Sequence, residues 1–123
     1  MTNRIMVVDD DAALRMTLQD ILMEEGWDVI AAEDGFQAIK FATERQIAVI
    51  FMDIQMPGMN GVEAFLKIKK ILPECVVVMI TGFLVESLVK RALAEGAMTV
   101  LLKPLSIEEL LKIVEEVVSE SIA

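Results

Sequence analysis

The chain has 123 residues, 55% of them hydrophobic, and carries a formal charge of -9 from 20 acidic and 11 basic residues. That length suits one compact domain, residues 1–123, burying roughly two-thirds of the surface exposed by its unfolded form. The acidic excess opposes the phosphate neutralisation that nucleic-acid affinity requires, so no direct DNA or RNA binding is expected. Histidine is absent, which excludes imidazole bases, histidine metal ligands and a phosphohistidine on this chain. The longest apolar blocks, such as CVVVMI, are far below the roughly 18 residues that cross a bilayer, so no membrane contact is expected. The start, MTNRIMVV, has neither the long apolar segment nor the small-residue cleavage site of a secretory signal, and the expected location is the cytoplasm.

In chain order, the apolar, β-branched blocks RIMVV, WDVIAA, AVIFMD, CVVVMIT and TVLLK alternate with segments of helical periodicity. Leu14, Leu18, Ile21 and Leu22 form the inner stripe of a first helix that closes near Gly26. The second helix begins near Asp34, where Asp34 and Gln37 have capping spacing. Asn60 and Glu63 repeat that spacing before VEAFLKIKKIL, which ends ahead of Pro73. A fourth helix is predicted from about Leu84 to Gly96. A fifth runs from Ser106 to about Ser119, opened by Ser106 and Glu109, with Ile107, Leu110, Leu111, Val114, Val117 and Val118 as its apolar stripe. Cys75, the lone cysteine, reads as a small core residue, and Met6, Met23, Met52 and Met79 as core filler. No linker, repeat or low-complexity tract interrupts the chain.

Nearly continuous apolar strands alternating with helices predict an α/β fold: a doubly wound, five-stranded parallel sheet with helices on both faces. In such sheets the ligand site lies outside the carboxyl ends of the strands, where strand order reverses. The residues at those ends are Asp9 and Asp10, Asp53, Thr81 and Lys103. Carboxylates from two strand ends make a hard oxygen site suited to Mg²⁺, which relieves the repulsion of adjacent acids. Asp53 then has the chemistry of a nucleophile toward phosphorus. Lys103 supplies a cation and Thr81 a hydroxyl for the phosphoryl oxygens.

The motifs VVDD at 7–10, MDIQMPGMNGVE at 52–63, ITG at 80–82 and EGAMTVLLKP at 95–104 resemble, in order and approximate spacing, the receiver domain of bacterial two-component response regulators. The resemblance covers essentially the whole chain. It implies the flavodoxin-like strand order 2-1-3-4-5 and phosphorylation of Asp53 by a histidine kinase or histidine phosphotransfer protein. It also implies Mg²⁺ bound directly by Asp10 and Asp53, through water by Asp9, and by the main-chain carbonyl of Gln55. Thr81 and Lys103 take the phosphate-contacting positions, and Lys103-Pro104 takes that of a cis peptide. The output passes to a downstream protein or a fused output domain, with homodimerisation on phosphorylation a further family behaviour. The chain promotes its own modification rather than turning over a substrate.

Val100 stands where this family usually has Tyr or Phe, and Leu105 where Phe is common. Phe83 lies two residues beyond Thr81, where side chains affect water access to an acyl phosphate. The Phe83, Leu84 and Val85 segment reads either as an exposed docking patch or as buried. Two rival functions use similar residues: a Mg²⁺-dependent phosphohydrolase with an aspartyl nucleophile, and an interaction module that keeps the fold without phosphorylation. The first usually has a second acid two residues after the nucleophile, where this chain has Gln55. A nucleotide or flavin binder would need the G-x-G-x-x-G turn that the first strand lacks.

Overall fold

In the computed structural model, which describes residues 4–122 and side chains through Val118, the apolar blocks form five strands. They are β1 (Arg4–Val8), β2 (Asp28–Ala32), β3 (Val49–Asp53), β4 (Val76–Thr81) and β5 (Val100–Leu102). All neighbours pair in parallel, in the order β2-β1-β3-β4-β5. Every residue of the central β3 is buried, because helices cover both of its faces and no solvent side remains to favour polar alternation. Connecting the strands are α1 (Ala12–Glu24), α2 (Gly35–Glu44), α3 (Gly61–Ile71), α4 (Glu86–Ala94) and α5 (Ile107–Ile122).

Successive strand side chains point to opposite faces, and the core divides accordingly. Met6, Val8, Ile50, Met52, Val77 and Met79 pack with Ala38, Val62, Phe65, Ile68 and Ala92 on one side. Ile5, Val7, Val49, Phe51, Val78 and Ile80 pack with Leu18, Leu22, Leu110, Ile113 and Val114 on the other. Met23 departs from the expected core role. It is 55% exposed, one position past the inner stripe of Leu18 and Leu22. Ile113 belongs to that buried layer, although the stripe predicted for the last helix omitted it. Cys75 is half-buried at the edge of the first cluster.

The helix starts follow local hydrogen-bond chemistry. Asp11 caps α1, its Oδ1 accepting from the Ala13 and Leu14 amides at 3.0 and 3.3 Å. Asp34 accepts from Gln37 N at 2.8 Å, while the Gln37 side chain takes the Glu33 amide rather than closing a box on Asp34. Asn60 and Glu63 form the full reciprocal box. Ser106 Oγ accepts from Glu109 N at 3.2 Å. The fourth helix is shorter than its sequence pattern suggests. It begins at Glu86, not Leu84, because the preceding residues are held in a turn by Thr81; its N-cap, Val85, offers no side-chain acceptor. Among the described residues no helix is long and apolar enough to cross a membrane.

Candidate functional site

Strand register builds the site. Val8 pairs with Met52, Asp53 with Ile80, and Thr81 with Leu102, so Asp9, Asp53, Thr81 and Lys103 sit along one crest at the carboxyl end of the sheet. The close approach of α3 to β3 keeps that crest compact. Gly61 N donates to Ile54 O at 2.7 Å, and a Cβ on Gly61 would lie 2.1 Å from the Asp53 carbonyl oxygen. Only glycine fits there.

Asp9, Asp10 and Asp53 each present a carboxylate oxygen, all within 4.8 Å of one another. Asp9 and Asp53 are buried, and Asp10 is exposed. Lys103 Nζ donates to Asp53 Oδ2 at 3.2 Å and lies 2.9 Å from Asp9 Oδ2. The Asp9 contact is close but lacks hydrogen-bond geometry, so this buried oxygen has charge compensation without a hydrogen-bonding donor. The other oxygen of each of these two carboxylates is held by backbone: Asp9 Oδ1 accepts from Asp11 N at 2.9 Å, and Asp53 Oδ1 from Gln55 N at 3.2 Å.

The electrostatics reflect this crowding. Burial, then repulsion from Asp9, raises the Asp53 carboxyl from 3.8 to about 6, against the opposing pull of Lys103 and the Gln55 amide. For Lys103, burial alone would favour the neutral amine, but contact with the two carboxylates outweighs it and holds the ammonium above its ordinary value. An all-oxygen set of three carboxylates, two of them paired with a single lysine, is compatible with a hard divalent cation.

Of the residues expected from sequence, Asp9, Asp10, Asp53 and Lys103 converge. Thr81 joins the crest, but its hydroxyl turns into its own loop. It donates to Phe83 O at 2.7 Å and accepts from Phe83 N at 3.1 Å. Gln55 follows Asp53 in the loop and contributes its amide to the Asp53 carboxylate. The Lys103-Pro104 bond is cis. Phe83 and Leu84 are 67% and 57% exposed, so the buried reading of that segment fails for these two side chains. Sequence reasoning missed Arg15, whose Nη1 donates to Asp9 O at 2.7 Å. The cue was its place one helical turn after the Asp11 cap, facing back toward the acidic turn.

This strand order, with acids on β1 and β3 and a lysine after β5, defines a class. The sequence matches the response regulator receiver domain family over residues 5–115, and the chain belongs to that family. It is 35% identical over 117 residues to the chemotaxis protein CheY of Bacillus subtilis, covering 94% of this chain and 98% of CheY. It is 37% identical over 119 residues to the transcriptional regulatory protein PdtaR of Mycobacterium tuberculosis, covering 94% of this chain but only 57% of PdtaR. The chain thus spans little more than half the length of that relative. A CheY-like receiver domain protein from Methanospirillum hungatei superposes with a TM-score of 0.93 at 28% identity, covering 98% of this chain and 96% of its own. Receiver domains of this kind are signalling switches.

Proposed function

We propose that Asp53 accepts a phosphoryl group from the phosphohistidine of a cytoplasmic histidine kinase or phosphotransfer protein. A carboxylate oxygen of Asp53 attacks phosphorus, the donor's P–N bond breaks, and the leaving imidazole nitrogen takes a proton. The observation that supports this most directly is the Asp53 carboxylate at a strand end, bonded to Lys103 at 3.2 Å and grouped with Asp9 and Asp10. Asp10 and Asp53 would hold Mg²⁺ directly, Asp9 through water, and Gln55 through its carbonyl. When bound, that ion supplies positive charge that compensates both the clustered acids and the incoming phosphoryl oxygens. Lys103 holds one phosphoryl oxygen, and Thr81 reaches another by leaving Phe83.

The output is a changed surface read by a downstream protein or fused output domain, with no substrate turnover by this chain. Incubation with Mg²⁺ and a small phosphodonor, followed by intact mass measurement, tests the reading. One added phosphoryl group, absent from Asp53→Asn, is expected. Repeated turnover of the donor by a residue other than Asp53, or no adduct under any donor and cation, would overturn it.

A further inference from the structure

Among the described residues the Asp10 side chain has no hydrogen-bond or ion-pair partner, yet the proposed site needs its carboxylate aimed. The two peptide groups flanking it are pinned instead. The Asp9 carbonyl accepts from Arg15 Nη1 at 2.7 Å, fixing the plane before Asp10. The Asp11 amide donates to Asp9 Oδ1 at 2.9 Å, fixing the plane after it. With both planes held, the direction of the Asp10 Cα–Cβ bond is set without any contact to its side chain.

Arg15 is itself braced. It is 18% exposed, and its Nη2 lies 4.0 Å from Glu33 Oε2. Glu33 is tied in turn to the first turn of α2, its amide donating to Gln37 Oε1 at 2.9 Å and its Oε1 accepting from Gln37 Nε2 at 3.3 Å. A chain of contacts therefore runs from α2 through Glu33 and Arg15 to the peptide beside Asp10.

Resting on the proposed cation site, we infer that Arg15 is a positioning residue that preorganises Asp10 for a small, geometrically strict divalent cation. The sign of its effect separates this role from others. A guanidinium near a cation site repels the ion, so deleting a mere neighbouring charge strengthens cation binding. Deleting the clamp weakens it, since supporting partners of metal ligands typically contribute about 10-fold or more in affinity. Mg²⁺ demands near-ideal octahedral geometry and Ca²⁺ tolerates irregular sites. Loss of aim therefore affects Mg²⁺ more.

The test is calorimetric titration of the folded protein with Mg²⁺ and, separately, Ca²⁺, in wild type, Arg15→Met, Arg15→Lys, Glu33→Gln and Asp10→Asn. Arg15→Met is expected to weaken Mg²⁺ binding by about 10-fold, with a smaller loss for Ca²⁺. Arg15→Lys should recover part of the loss, and Glu33→Gln should show a slight change of the same sign. Far-ultraviolet circular dichroism establishes that each variant is folded. If Arg15→Met failed to fold, the Glu33→Gln and Arg15→Lys titrations would decide, and unchanged Mg²⁺/Ca²⁺ preference in both would overturn the inference. Unchanged or tighter Mg²⁺ binding in folded Arg15→Met would overturn it while leaving the cation site standing. Absence of Mg²⁺ binding in wild type, or its persistence unaltered in Asp10→Asn, would remove the cation site and the inference together.

Discussion

Replacing Asp53 by Asn should stabilise the cation-free protein near neutral pH, even though it destroys the proposed phosphoacceptor. Asn resembles a permanently protonated Asp in size and charge, so the difference between the two proteins measures the free energy of ionising Asp53 in the fold relative to the unfolded chain. Burial and Asp9 raise that carboxyl from 3.8 to about 6. Fully buried, such a shift corresponds to about 3 kcal/mol. The exposed Asp10 and the 25%-exposed Lys103 side chain admit water to one side of the site, and screening lowers the expected value to about 1–2 kcal/mol. The sign follows from proton counting. Between pH 3.8 and about 6 the folded state holds a proton that the unfolded chain has lost, so wild-type stability falls across this window as pH rises. The advantage of Asp53→Asn is therefore full above the window, about half as large at pH 5, and absent once both states are protonated. Urea denaturation with a chelator from pH 5 to 8 reads it directly. Adding Mg²⁺ at ten times its dissociation constant should return about 1.4 kcal/mol to wild type and little to the variant. An Asp53→Asn protein no more stable than wild type at pH 7.5, or a gap that does not change with pH, would refute the reasoning.

Gly61→Ala should destabilise the fold by more than about 3 kcal/mol, because the new methyl would lie 2.1 Å from Asp53 O and 2.9 Å from the Ile54 Cα. Gly26→Ala meets nothing within 4 Å but inherits φ of +93°, so its cost should be only about 1–2 kcal/mol; denaturation midpoints of the two variants compare them, and equal losses would contradict the packing argument. Cys75, whose thiol is pushed up to about 12 by burial, should resist alkylation at pH 8 in the native protein and react promptly in urea, whereas a native rate equal to that of a free thiol would contradict its placement.

Strand positions were legible because a sheet buried on both faces leaves uninterrupted apolar runs, and each run here contains its strand. The crest was legible for a related reason: polar residues ending such runs have one place to go. What the sequence hid depends on contacts between residues distant in the chain or on backbone direction. Met23 has the composition of a core residue, and only the rotation of α1 puts it 55% in solvent. The start of α4 was misplaced because Leu84 and Val85 continue an apolar pattern, while the turn that delays the helix comes from a hydroxyl three residues earlier. Arg15 escaped notice because its partner is a main-chain carbonyl, which no pattern of side-chain types records.

The position of the Thr81 hydroxyl constrains how the proposed phosphorylation can reach the surface. With Val100 half-buried at the edge strand, no aromatic ring stands there to change its packing. The Thr81 hydroxyl is engaged in both directions with the Phe83 backbone. Any anion at Asp53 that draws this hydroxyl must therefore take it from Phe83, releasing one carbonyl and one amide at the foot of the loop. Phe83 and Leu84 are largely exposed, and Val85 begins α4 without a side-chain cap, so little apolar burial or capping energy resists rearrangement there. By contrast, the far end of α4 is tied down, with Lys69 donating to the Glu95 carbonyl and its ammonium 3.8 Å from the Glu95 carboxylate. Under the proposed phosphorylation, a change at Asp53 is expected to reach residues 82–85 first, with the C-terminal end of α4, held by Lys69 and Glu95, as the fixed point.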